Sequence, residues 1–236
     1  MKPTLKLTFL CLTAFLLFPS LGPQAAEVTA PGPGPNVLII TVDDMSADSV
    51  GAFGCRLPDT TPNLDRLAAQ GMRFTRAHVV CANCMPSRNA MWSGLVPHHN
   101  RVEGFYQVPD AKHPHLADLM KGAGYLTAIQ HKVSHSTPYA PYPAWDLDLD
   151  TGPDGRRRDV KAPRSYGEGT AQGIQAARDA GKPFCLVINV ADPHKPFYAE
   201  SNRGETIPDK NVPTCVFAPG QVPIPGFLFD DPVVRK

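Results

Sequence analysis

Four short stretches of the 236-residue chain carry side chains able to do chemistry. Asp43-Asp44 closes an apolar run, and Cys81-Ala-Asn-Cys84-Met-Pro-Ser-Arg88 sets two thiols close to a guanidinium. Lys132-Val-Ser-His135 and Asp192-Pro-His194-Lys195 each join a cation to an imidazole. Adjacent carboxylates at a strand end repel one another unless a cation lies between them, and a hard divalent ion with oxygen ligands is the usual partner. Two thiols at Cys-x-x-Cys spacing read first as a redox or zinc pair. Zinc would want a second close pair, whereas Cys55, Cys185 and Cys215 stand singly. A thioredoxin-like site would want a helix starting directly after a core strand in a small βαβ fold. Neither context is met.

The elements that must position these groups read as α/β. Asn36 to Val42 is a continuous apolar run rich in β-branched residues, which predicts a strand buried on both faces in a parallel sheet. Thr61 as N-cap, Pro62 at the first helical position, Leu64, Leu67 and Ala68 on one face, and Gly71 past the end predict a helix. An extended piece, Met72 to Val80, leads to the cysteine turn and a helix running from Ser87 to Trp92. Leu116 to Lys121 predicts a helix stopped by Gly122 and Gly124, Tyr125 to Ile129 a strand, about Tyr166 to Ala180 a helix, and Pro183 to Val190 a third buried strand. The alternation implies a mostly parallel sheet with helices on both faces. Sites in such sheets gather beyond the carboxyl ends of the strands, so three of the four clusters can converge despite their separation in sequence. Residues 197–236 show no clear helix or strand, and the chain ends at Pro232-Val-Val-Arg-Lys236 as though a helix were beginning.

Cys84-Met85-Pro86-Ser87-Arg88, followed by Ser93-Gly94, resembles the signature of the type I sulfatases of the alkaline phosphatase superfamily. In that family the cysteine is oxidised after translation to formylglycine. Val37 to Asp44 is similar to the family's first strand with its metal-binding Asp pair, and Thr61 to Gly71 to its first helix. Lys132-x-x-His135 and Asp192-Pro-His194 match two later elements, and Asp-Pro-His-Lys looks most like the heparan N-sulfatase and iduronate sulfatase branches. The resemblance implies a hydrolase of sulfuric esters or sulfamates of carbohydrate. Cys84, as formylglycine, would be the nucleophile, because a hydrated aldehyde offers one hydroxyl to attack sulfur and one to expel sulfate. Asp43, Asp44 and the oxygen at position 84 would hold Ca²⁺. Arg88 would fix the formylglycine, Lys132 would bind a sulfate oxygen, and His135 and His194 would handle protons. A formylglycine-generating enzyme is the implied partner in maturation.

Two departures accompany the match. His131 stands where relatives usually have Gly. The family's later Asp-Asn-Gly or Asp-His-Gly strand end and second Lys have no counterpart, the only Asp-Gly being Asp154-Gly155 in a turn-like setting. Residues 36–236 are therefore expected to be the amino-terminal part of a sulfatase domain, with an incomplete Ca²⁺ shell and an unpaired sheet edge. The competing expectation is a non-catalytic remnant that binds anions or glycans weakly. A phosphoesterase of the same superfamily is disfavoured, since those enzymes use Ser or Thr where this chain has Cys84.

Composition limits the remaining classes. Lys plus Arg is 23 and Asp plus Glu is 22, a formal charge of +1 without the basic excess of a nucleic-acid binder. The 26 Pro and 19 Gly imply long punctuated loops on a real fold. Met1 to about Ala26 has basic Lys2 and Lys6, an apolar stretch from Leu7 to Leu17 and small Ala25 and Ala26, the layout of a secretory signal peptide, with residues 27–35 as a linker. Its removal takes two lysines and no acid, turning the charge to −1. A secreted or periplasmic protein without a membrane anchor is expected, with an odd number of cysteines (Cys55, Cys81, Cys84, Cys185, Cys215) that conversion of Cys84 would make even. His98-His99 reads as a loop, His113 and His115 as solvated residues near a helix start, and Arg156 to Arg158 as a solvated charge run. Tyr139, Tyr142 and Trp145 either stack on a sugar or pack on their own domain.

Overall fold

A computed structural model describes residues 34–109, 113–140, 144–197, 211 and 213–233. The signal-peptide reading of residues 1–26 lies outside them. Strand β1 (Val37–Asp43) pairs in parallel with β6 (Phe184–Pro193), β6 with β3 (Leu126–Gln130), and β3 with β5 (Leu147–Asp148), giving a four-stranded parallel sheet in the order β1-β6-β3-β5. A second, two-stranded parallel sheet joins β2 (Val108–Pro109) to β4 (Tyr139–Ala140). Every strand of the larger sheet points its carboxyl end the same way, as the α/β reading requires.

Helices cover both faces. On one lies α6 (Pro163–Asp179), whose buried residues Ser165, Gly169, Gly173 and Ala177 recur every fourth position and form a strip of small side chains. A Cβ at Gly173 would lie 2.9 Å from Leu186 Cδ2, so the approach of helix to sheet depends on the missing side chain. Ala128, Leu149, Leu186 and Ile188 form the core there, with Tyr166 and Ile174 packed on it. The opposite face brings Trp92 of α2 (Cys84–Ser93), Leu116 of α4 (Leu116–Gly122) and Val133 of α5 (Val133–Ser136) onto Ile39, Ile129 and Val187. Strand alternation puts Thr41, Asp43 and Asn189 on this same side, toward α2.

Burial of β1 on both faces is not what the structure shows. Leu38 is 45% and Ile40 54% exposed, because β1 is the edge strand and α6 packs on β6 and β3. The predicted extended piece from Met72 to Val80 forms no strand, since no strand stands beside it among the described residues. Helix α1 (Pro62–Gln70) forms where Pro62 and Gly71 place it, yet none of its residues is buried.

The solvated reading of His115 is also overturned. His115 is fully buried as the N-cap of α4, its backbone N–H donating to Asp118 Oδ2 at 2.8 Å. Tyr139 is buried too, its hydroxyl donating to Asn100 O, so it packs on its own domain; Tyr142 lies outside the described residues. Arg156 is exposed, but Arg158 is structural, holding Leu149 O, Thr151 O and Gln172 Oε1. Residues 213–233 contain a single 3₁₀ turn, Pro219–Gln221. The expected helix start at Pro232 runs into residues 234–236, outside the described set.

Candidate active site

The carboxyl edge of the sheet gathers the predicted charges. Asp43, the last residue of β1, is 3% exposed. Lys132 Nζ lies 2.6 Å from its Oδ2 and Arg88 Nη2 3.4 Å from its Oδ1. Burial opposes ionisation of Asp43, but the Lys132 ammonium and the Arg88 guanidinium outweigh it and hold the carboxyl below its ordinary value of 3.8. Asp44, with φ 60°, turns its more exposed side chain toward His194, whose Nε2 is 3.7 Å from Asp44 Oδ2.

Each cation arrives by a different local device. Asn83 is extended and Cys84 opens α2, so Arg88 follows one helical turn later on the face of Cys84 and points into the sheet, 6% exposed. Its Nη1 donates to Thr41 Oγ1 at 3.0 Å and to Asn189 Oδ1, while its buried Nε has no partner among the described residues. Lys132 follows β3 through two left-handed residues, His131 (φ 59°) and Lys132 itself (φ 53°). A glycine would enter that region without strain, which is why His131 is an unusual occupant. The turn is held by the His131 N–H donating to Asp150 Oδ1 at 2.6 Å, and by the His131 carbonyl accepting from Asn189.

The two predicted proton carriers differ in setting. His135 sits in α5 against Phe105, with ring centroids 5.3 Å apart, and its buried Nδ1 has no partner among the described residues. Burial, then the charges of Lys132 and Arg88, push its pKa down. His194 Nδ1 lies 2.8 Å from Lys195 O. A carbonyl only accepts, so Nδ1 carries a proton and donates it to Lys195 O, which leaves Nε2 turned toward Asp44.

Sequence reasoning missed Thr41, Asn189 and Lys161. The first two are polar residues inside apolar strand runs, a signal readable in retrospect. Lys161 is 7% exposed, donating to Asp192 Oδ1 at 2.6 Å and to His194 O, so it holds the turn that carries His194. A cleft of about 440 Å³ opens beside Lys132 and His135, with Asp148, Asp150 and Arg157 on its other wall. A larger cleft, about 980 Å³ between residues 152–159 and α6, contains none of the predicted site residues. All five described cysteines are free thiols.

The donors at the strand end are hard oxygens, which suit Ca²⁺. Asp43 is already balanced by two cations, however, and among the described residues no group of three or more His, Cys, Asp or Glu side chains is placed to hold a metal. The described residues therefore supply two adjacent carboxylates at the strand end and no complete metal shell.

Comparison with known proteins decides the family. The sequence model of the Sulfatase family matches residues 35–211. This chain belongs to the sulfatase family. It is 28% identical to arylsulfatase G of Rattus norvegicus over 221 residues, 70% of this chain and 42% of that protein. To arylsulfatase A of Bos taurus it is 32% identical over 164 residues, 64% and 29%. To N-acetylgalactosamine-6-sulfatase of Sus scrofa it is 37% identical over 120 residues, 44% and 22%. This sulfatase chain thus spans less than half the length of each of these relatives. Its fold is similar to that of a protein solved in complex with its substrate D-glucosamine-2-N,6-O-disulfate (TM-score 0.56, 22% identity, 68% of this chain and 35% of that one). It is also similar to that of the phosphonate monoester hydrolase of Agrobacterium radiobacter (TM-score 0.56, 20% identity, 81% and 45%).

Proposed function

We propose that this chain carries the nucleophilic half of an exported sulfatase site acting on sulfated or sulfamated carbohydrate, with Cys84 matured to formylglycine. The observation that carries the reading is that Arg88 has a buried Nε donor without a partner among the described residues, on the helix that Cys84 opens and beside the Asp43–Lys132 pair. A hydrated aldehyde at position 84 supplies the oxygens such a donor lacks. Arg88 orients that group, and Lys132 meets a sulfate oxygen. His194 Nε2 and His135 accept and return protons. Ca²⁺, bound through Asp43 and Asp44, would supply charge stabilisation of the sulfate oxygens. Likeness of Asp192-Pro-His194-Lys195 to the N-sulfatase branch supports the substrate class. Among the described residues no helix is long and apolar enough to cross a membrane, and secretion follows from the signal-peptide reading of residues 1–26.

A second reading, binding without turnover, is supported by Asp43, whose charge is satisfied by Lys132 and Arg88 without a metal. Mass spectrometry of the Cys84 peptide, from protein expressed with a formylglycine-generating enzyme, alongside aryl sulfate hydrolysis with added Ca²⁺, separates the two. Conversion of Cys84 and turnover abolished by Cys84→Ala are expected. Unmodified Cys84 with no turnover above the Cys84→Ala control would leave only the binding reading.

A further inference from the structure

The amide of Asn189 belongs to none of the motifs above, yet it touches the elements that present both cations to Asp43. Asn189 is fully buried in β6, between Ile188 and Val190, in register with Thr41 of β1. A β-branched apolar residue would suit such a position better, both in strand preference and in burial. Instead, every hydrogen-bonding valence of the amide is used. Its Oδ1 accepts from Thr41 Oγ1 at 2.7 Å and from Arg88 Nη1. Its Nδ2 donates to Gln130 O and to His131 O, both at 2.9 Å.

Those partners are not interchangeable packing contacts. Gln130 is the last residue of β3, and the side chain of Asn189 continues the bonding between β6 and β3 beyond that point, through the left-handed residues that deliver Lys132. The same amide fixes one nitrogen of the Arg88 fork, which aims the other at Asp43 Oδ1. We infer that Asn189 is a positioning residue: one buried amide sets the Arg88 guanidinium and the Lys132 turn together, so that both cations face Asp43 in a fixed geometry. That this geometry serves sulfate-ester hydrolysis rests on the function proposed above; the coupling of the two cations does not.

Full-length Asn189→Leu, Asn189→Asp and Thr41→Val separate the contributions. Leu keeps the volume and removes every polar contact. Asp keeps an acceptor for Arg88 and removes both donors to the β3 carbonyls. Val removes only the Thr41 hydroxyl. In ¹H–¹⁵N spectra, Asn189→Leu is expected to broaden the protected Arg88 Nε–H signal and to shift the His131 and Lys132 amides. Asn189→Asp should keep the Arg88 signal and move only the two amides, and Thr41→Val should leave all three in place. Unchanged His131 and Lys132 amides in Asn189→Asp would overturn the inference even if Asn189→Leu fails to fold. Given turnover by the parent chain, Asn189→Asp is expected to lower kcat roughly tenfold or more with KM within about twofold, the pattern of lost positioning. A raised KM at unchanged kcat would count against it. A parent chain without turnover bears on the sulfatase reading alone and leaves the spectral test intact.

Discussion

Asp43 stays ionised at 3% exposure because two cations from different elements face its two oxygens. Removing one partner of a buried pair leaves charge uncompensated, so Lys132→Met is expected to cost about 3 kcal/mol at pH 7 in urea unfolding. Since the carboxyl pKa is lowered on folding, its contribution is present above the unfolded value of 3.8 and is lost as pH falls through the folded one. The penalty of Lys132→Met should therefore shrink in acid. His115 works in the opposite chemical sense. Burial, then the charge of His113, lowers its pKa from 6.5 to about 4, so the unfolded chain takes up the proton first and stability falls as pH drops from about 6.5 to about 4. Asn is also a good N-cap, and His115→Asn should keep α4 while flattening the fall of thermal midpoint over that window. Asp43, Arg88 and Lys132 stood out in the sequence because their clusters occur together and in the order of the sulfatase motifs, each cluster alone being a weak signal. Thr41 and Asn189 did not, because a single polar residue in an apolar run reads as strand until its partners are known. Lys161 was hidden for another reason: burial of a lysine in a loop is decided by tertiary contacts with Asp192 and His194, which no local pattern records.

Among the elements, α6 shows how closely packing is set by what is missing. Gly173→Ala gains up to about 1 kcal/mol in helix propensity but drives a methyl into Leu186, which costs about 1–3 kcal/mol. A lower thermal midpoint is expected. Gly167, on the exposed side of the same helix, has open space where a methyl would go, with no atom within 4 Å of it, so Gly167→Ala should raise the midpoint instead. The pair of melting curves checks both signs in one helix. Helix ends were legible from Pro62, Gly71, Gly122 and Gly124 because caps act locally. Strands were legible as apolar runs, but a run cannot say whether a neighbour covers it. This is why the sequence anticipated β3 and β6 to within one to three residues at their ends, β1 along its length but not its exposure, and Met72 to Val80 as an extended piece that pairs with no strand among the described residues.

At the scale of the whole molecule, Leu38, Ile40, Met72, Phe74, Val79 and Val80 are all exposed, and α1 buries none of its residues. Apolar exposure on this scale drives association. Sedimentation velocity should show concentration-dependent association of the parent chain, reduced in a Leu38→Thr, Ile40→Thr double variant, while thermal unfolding changes little. The same sheet geometry has a consequence for how the molecule opens. Asp43 anchors its charge cluster from β1, which among the described residues is held by β6 on one side only, whereas β6 is flanked by strands on both sides. Local opening of β1 therefore releases the cluster without global unfolding, and amides of residues 39–42 should exchange with solvent at a lower free energy than those of residues 186–188. Any ligand that bridges Asp43 and the helix of Arg88 would first be felt as slowed exchange in β1, making the outermost strand the reporter of occupancy at the site.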